Sequence, residues 1–371
     1  MHKISITKTT SDLKSDLKNA LGLIGGIEYY IGHNDVVMIK PNINGTEAIT
    51  NIHLVAALIE LLQEYGVKKV VVAESSFGDE KMTQMYFKKS GYAEMCERYG
   101  IDLVNLNASE IAETKVVNPL ANNSLNIAKE VFEADKIINV PVMKVHYATG
   151  VSLAMKNLKG VLVKEQKRKF HDIGLDKSIV DLNSVVKPAL NIIDATTCME
   201  RMGPHGGDAV KMDLLIAGEN IAAVDYVGCE IMGYTLDEVK HLKYFIDQSK
   251  FCTDSTKVLG EKMEHVRRRF AKVEVSNIIP QNYKINQNDA CCTCMNALLL
   301  SLRFLEDEHR NMDVEVCLGS NINEIKADGQ IAVGFGNCRR KQEGCDISIK
   351  GCPPYPFHLK SALEEYSANQ K

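Results

Sequence analysis

The chain has 371 residues, 45% of them hydrophobic and 25% charged, with a net charge of −4. That length predicts two or three domains, with a core large enough to need no staples. The acidic balance argues against a general polyanion binder, so nucleic acid is not an expected partner. Lys, Glu or Asp also interrupts every apolar run well before the roughly 20 residues of a membrane span, so no membrane partner is expected.

The first residues, Met1-His2-Lys3-Ile4-Ser5-Ile6-Thr7, alternate as a strand and carry no signal-peptide core, which predicts a soluble cytoplasmic protein. Residues 35–40 form a short apolar run closed by Pro41-Asn42, so a buried strand ends at Lys40. Asn51 can cap a helix running through Leu54, Leu58, Ile59, Leu62 and Tyr65, with Gly66 as its stop. The next strand covers residues 70–73 and ends at Glu74-Ser75-Ser76. Strand, helix and strand with short joins is the βαβ unit of a parallel sheet. Residues 136–140 repeat the theme, and Pro141 keeps the following segment out of a helix. More strands are expected at 190–194 and 213–217, and helices at 221–232 and near 236–245. Residues 1–280 thus read as a three-layer α/β domain on a mostly parallel sheet.

Residues 281–290 read as a polar joint to a second domain, 281–371. There Met295, Leu298, Leu299, Leu302 and Leu305 recur at helical spacing, residues 314–317 and 331–334 look like two short parallel strands, and a last helix spans about 355–366. Of the chain's 11 cysteines, seven fall in this small domain: Cys291, Cys292, Cys294, Cys317, Cys338, Cys345 and Cys352. Disulfides are rare in cytosolic chains, so the cluster points to metal or redox chemistry. Cys96, Cys198, Cys229 and Cys252 stand singly among apolar residues and read as packing.

Cys291-x-x-Cys294 precedes a helix, Cys338 follows a strand, and Cys352 lies in Gly351-Cys352-Pro353-Pro354. Three loops at one sheet edge can bring these four sulfurs together around a [4Fe–4S] cluster, where Pro after a ligand Cys recurs. Zinc is the alternative, but structural zinc sites usually show two CxxC or Cys/His pairs and only one CxxC is present. Cys292, Cys317 or Cys345 can each replace one of the four.

In the large domain, Asn139-Val-Pro-Val-Met-Lys144-Val-His146 follows a strand, and Met155-Lys156-Asn157-Leu158-Lys159-Gly160 comes soon after. Ligands bind beyond the carboxyl ends of strands in open parallel sheets. Lys144, His146 and Lys156 there make an anion cradle, with His146 able to exchange protons near neutral pH; solvated lysines and a capping histidine are the plainer alternative. Gly203-Pro204-His205-Gly206-Gly207-Asp208 is either a ligand-wrapping loop or a turn. Neither GxGxxG nor a P-loop is present, so ATP or NAD binding has no motif support. The basic runs Lys167-Arg168-Lys169 and Arg267-Arg268-Arg269 read as solvated faces.

These segments stand in a recognisable order: Lys40-Pro41-Asn42, Ala73-Glu74-Ser75, Asn139 to His146, Met155 to Gly160, His171, Asp181-Leu182, Asp194, Gly203-Pro204 and Ala223-Val224-Asp225. Over residues 35–235 the chain resembles the "domain of unknown function 362" family of iron–sulfur-associated proteins. The resemblance implies that Lys144, His146, Lys156, Asn157 and His171 share one functional site, with Asp194 and Asp225 as orienting or protonating partners. Family members often carry a ferredoxin module with two CxxCxxC-type runs. This chain has one CxxC and a Gly-Cys-Pro-Pro end, so a single cluster is expected.

The expected function is an iron–sulfur oxidoreductase that delivers single electrons from a [4Fe–4S] cluster on Cys291, Cys294, Cys338 and Cys352 to a small anionic substrate, with an electron-donor protein as partner. Lys144 and Lys156 would hold the anion, and His146 or His171 would supply the proton. Two rivals remain: a lyase or isomerase using the cluster as a Lewis acid, and a non-catalytic cluster or metal carrier.

Overall fold

The computed structural model describes residues 1–287, 290–319, 329–339 and 344–370, and divides into two compact units, Met1–Val273 and Glu274–Lys371. Asn288 and Asp289 of the polar joint, and Arg340, Lys341, Gln342 and Glu343 of the basic loop before Cys345, lie outside the described residues.

The large unit is mixed α/β. Its strands are β1 (His2–Lys8), β2 (Val36–Pro41), β3 (Lys69–Glu74), β4 (Asp102–Asn105), β5 (Ile111–Lys115), β6 (Ser124–Ala128), β7 (Lys136–Val140), β8 (Val142–His146), β9 (Gly150–Ser152), β10 (Leu190–Glu200), β11 (Asp208–Gly218) and β12 (Thr256–Gly260). The main sheet runs β12-β1-β11-β10-β7-β2-β3-β4, with β8 and β9 attached beside β10, while β5 and β6 pair separately. Its ladders are mostly parallel; β1–β11, β10–β11 and β8–β9 are antiparallel. Near-continuous apolar runs such as Val37-Met38-Ile39 and Val70-Val71-Val72 take the central positions, as strands covered on both faces must.

Helix Ile52–Tyr65 begins where Asn51 Oδ1 accepts the His53 N–H at 3.0 Å and stops at Gly66, whose φ of 86° suits glycine. Its Leu54, Leu58, Ile59 and Leu62 pack with Ile39, Val72 and Ile138 in one core. The expected helix at 236–245 is instead a short turn, Leu236–Glu238, followed by helix Lys240–Ser249. Thr235 and Glu238 bond each other in a capping box that closes the turn. Strands β10 and β11 extend well past the expected 190–194 and 213–217 because each satisfies the other's backbone. Of the four single cysteines, Cys96, Cys198 and Cys229 are buried as expected of packing residues, but Cys252 is exposed.

Pro141 divides β7 from β8, and β10 exchanges β7 for β8 as its neighbour at that point. The residues of β8 are all buried, and alternation along the strand sets Lys144 and His146 on the same face. This is how one strand delivers two site residues.

The small unit is a four-stranded parallel sheet in the order β13 (Tyr283–Gln287), β14 (Val314–Leu318), β15 (Ile331–Phe335) and β16 (Ile347–Ile349). Helices Cys292–Arg303 and His358–Asn369 supply Leu298, Leu302, Leu359 and Leu363 to its core, against Val316, Val333 and Phe335. The expected polar joint therefore holds a strand. Only Tyr283 of β13 is buried, because an edge strand needs few apolar residues when its backbone pairs with β14. No helix among the described residues is long and apolar enough to cross a membrane.

Candidate functional site

The floor of the large-unit site is a buried ion pair. Lys40 at the end of β2 lies 2.7 Å from Glu74 at the end of β3, and both are fully enclosed. Glu74 also accepts the Ser75 N–H at 2.7 Å and the Ile43 N–H at 3.2 Å. Lys167 comes up from helix Lys164–Ile173 to donate to the Ser76 carbonyl at 2.8 Å, Asn107 Oδ1 at 3.1 Å, the Ser75 carbonyl at 3.2 Å and the Ser75 hydroxyl. This corrects the expectation of a solvated face. Arg168 and Lys169 are exposed, but Lys167 is buried among oxygens that its burial leaves without water. Burial brings its amine down to about 7. The second basic run is exposed, and its Arg268 forms a two-pronged pair with Glu200 at 2.8 and 3.0 Å.

Gly160 explains the close fit of this floor. A Cβ there would stand 1.9 Å from Glu74 Oε1 and 2.6 Å from Lys40 Nζ. Asn157, three residues earlier, is a crosslink: its amide nitrogen donates to Asn139 Oδ1 at 2.8 Å and to the Lys40 carbonyl at 3.2 Å, and its oxygen accepts from Asn42 at 2.9 Å. Asn139 continues the chain to Asn191 at 3.0 Å. Asp225 accepts the Ala154 and Met155 N–H groups at 2.7 and 2.9 Å, and so fixes the start of the short helix Ala154–Asn157. Asp194 accepts the Asn51 N–H at 2.6 Å and the Thr196 hydroxyl at 2.6 Å. Both carboxylates thus hold backbone rather than contact the site histidines.

Above the floor, basic groups converge. Lys144 Nζ donates to Asn42 Oδ1 at 3.0 Å and to the Ala48 carbonyl at 2.9 Å. Burial, then the nearby Lys156 ammonium, bring Lys144 down to about 7. His146 is buried and accepts the Ala148 N–H on Nδ1 at 3.2 Å, so its neutral ring carries hydrogen on Nε2. Burial and the fields of Lys156, His171, Lys159 and Lys144 hold it far below the usual histidine range. His171 touches Lys159 and meets the Phe77 ring edge-on at 5.3 Å; burial and the charges of Lys159 and Lys156 push it down as well. The site residues inferred from sequence in this unit, Lys144, His146, Lys156 and His171, therefore lie in one electrostatic neighbourhood, with Asn157 directly beneath.

Sequence reasoning did not single out Lys159 or His205. Lys159 was visible within the Lys-Asn-Leu-Lys-Gly run. His205 stood in a glycine-rich loop with only its residue type as a signal, yet burial and the charges of Lys144 and Lys156 press its imidazole down to about 4.

In the small unit, Cys291 is the N-cap residue of helix Cys292–Arg303, and Cys294 lies buried one turn in. Cys338 sits in the turn Asn337–Arg339 after β15, and Cys352 follows β16. Those two loops are laced reciprocally: the Asn337 N–H donates to the Gly351 carbonyl at 2.8 Å, and the Gly351 N–H donates to Asn337 Oδ1 at 2.9 Å. A Cβ on Gly336 would lie 3.3 Å from Cys294 Sγ, so the helix start abuts the first loop. A hydrogen bond to Cys291, burial, and the charges of Cys291, Cys352 and Cys338 push the Cys294 thiol up. The Cys294 thiol resists ionisation beside three neighbouring sulfurs, a strain that a cationic centre such as an iron–sulfur core would relieve. Cys317 is buried within β14, Cys292 opens the helix, and Cys345 precedes β16. Among the described residues, no three His, Cys, Asp or Glu side chains meet as tightly as one directly bound metal ion requires.

A mixed α/β unit with buried lysines and a buried histidine at its strands and their ends, joined to a cysteine-bearing parallel sheet, defines the class. The chain belongs to the family described as Domain of unknown function (DUF362), whose model matches residues 37–230. That span holds the whole basic constellation and none of the seven clustered cysteines. The chain is 28% identical over 231 residues, 59% of its own length and 70% of the relative's, to the thylakoid-associated protein sll1697 of Synechocystis. It is also similar to the lactate racemase apoprotein of Thermoanaerobacterium thermosaccharolyticum, with a TM-score of 0.43 and 14% identity over 85% of this chain and 68% of the other.

Proposed function

We propose that the chain is a cytoplasmic iron–sulfur oxidoreductase whose large unit binds a small anionic substrate and whose Cys291, Cys294, Cys338 and Cys352 hold one [4Fe–4S] cluster. The observation that carries the reading is the meeting of Lys144 and His146 of β8 with Lys156, Lys159 and His171 of the helical segments that follow, where Glu74 is already committed to Lys40. The cluster would supply electrons one at a time, drawn from a donor protein. Lys144 and Lys156 attract and hold the anion in a water-poor site where charge pairing counts for more than in solvent. His146, with hydrogen on Nε2, donates a hydrogen bond to the bound anion, and once the anion's charge favours its protonation from solvent it passes the proton that accompanies an electron. His171 serves as the second exchangeable ring, tied to Lys159.

The test is to reduce anaerobically purified protein with dithionite and follow its reoxidation by a panel of small carboxylate, phosphate and oxoanion acceptors. An active acceptor should reoxidise the wild type, slow at least tenfold with Lys144→Met, and lose its effect with Cys294→Ser. Wild-type rates in both variants would overturn the reading.

A further inference from the structure

The Gly203–Asp208 segment carries a residue with no part in the proposal above. Gly203 is pressed so tightly on β8 that a Cβ would stand 1.7 Å from the Val145 carbonyl oxygen, and its own carbonyl accepts the Tyr147 N–H at 3.1 Å. The loop is therefore pinned on either side of His146. Two residues on, the His205 ring lies over Gly45, where a Cβ would come within 2.8 Å of Cε1 and 3.2 Å of Nδ1. The Gly206 N–H donates to Glu47 Oε2 at 2.9 Å, which ties this loop to the one running from Asn42 to Thr50. That second loop is anchored in turn by the Lys144 ammonium on the Ala48 carbonyl. Ala48 has φ of +43°, a strained conformation for alanine that such an anchor can hold.

We propose that His205 is a ligand-contacting residue of the large-unit anion site, closing it across from Lys144 and Lys156 through the paired loops. The proposal rests on the anion-binding reading and deepens it by adding a third histidine and a proton count. The charged groups whose fields reach the ring are Lys144 from β8 and Lys156 from the short helix. Glu47 is bonded to the neighbouring Gly206, and Arg201 pairs with Asp208 at 2.7 Å across the ends of the loop. An anion bound among them offsets the two ammonium fields, so the imidazole gains affinity for a proton and can donate to the anion. Binding in weakly acidic solution should then take up a proton.

Sulfate is the probe, since it stays a dianion throughout. Histidine ring signals of full-length protein are followed by NMR with and without sulfate, and His205 is assigned by its loss in His205→Gln. Free His205 should titrate near pH 4, and sulfate should move its midpoint upward by at least one pH unit. His205→Gln should weaken sulfate binding about tenfold, the effect of one charge-assisted hydrogen bond. If sulfate perturbs His146 but leaves His205 and its titration unchanged, this proposal is overturned while the anion site stands. If sulfate perturbs none of His146, His171 and His205, both fail.

Discussion

Burial and a neighbouring ammonium leave Lys144 titrating near neutrality, with a value of about 7. The sign of the pH effect follows. Below about 7 the amine is charged and attracts an anion, and above it the free protein must take up a proton to bind. Sulfate affinity measured by calorimetry should therefore fall about tenfold per pH unit above neutrality, and Lys144→Met should both weaken binding and flatten that slope. A slope unchanged in the variant would show that another group titrates. Glu74 makes a different prediction, because it neutralises a lysine fully enclosed by protein. Glu74→Gln leaves Lys40 charged and enclosed, and should lower stability to urea by about 3 to 5 kcal/mol. A loss under 1 kcal/mol would mean that Lys40 sheds its proton instead.

The short helix Ala154–Asn157 shows how an element can be built for placement. Four residues cannot hold a helix alone. Asp225 at its start and the Asn157 crosslink at its end supply what its own hydrogen bonds lack. Burial raises Asp225 to about 7, so its folded form holds a proton that the unfolded form has released above pH 4. Its contribution is complete below the unfolded value and is lost as pH rises through about 7. Asp225→Asn should remove that decline, so the stability gap between variant and wild type should narrow, or reverse, from pH 4 to pH 7 in urea titrations. At the other end, Gly160→Ala would drive a methyl into the Lys40–Glu74 pair and should abolish soluble folded protein.

Much of this scale was legible in the sequence. Asn51 and Gly66 bracket their helix as capping chemistry requires, and apolar runs mark the central strands. Strand β13 was hidden because its short alternation, Tyr283 and Ile285 inward among polar residues, is embedded in a polar stretch, and pairing with β14 completes it. Lys167 was hidden because its neighbours Arg168 and Lys169 are exposed, and nothing within the run says that one basic residue of the three turns inward. His205 depends on contacts with Gly45 and β8, which lie far off in the chain.

Taken whole, the molecule joins a family domain that bears the basic site to a small parallel sheet that bears the thiols. The small sheet explains why cysteines dispersed over some 60 positions can act together. Its parallel strands send their following loops to one edge, and the Asn337–Gly351 lacing draws two of those loops together beside the start of helix Cys292–Arg303. Cys294→Ser should remove bound iron altogether, whereas Cys252→Ser, in the other unit, should leave it unchanged. The central claim meets its most direct test in the iron and acid-labile sulfide content of protein purified without oxygen, read together with its visible spectrum. The account predicts about four of each per chain and a broad absorption that bleaches on dithionite. One zinc and no sulfide in a fully folded chain would contradict it.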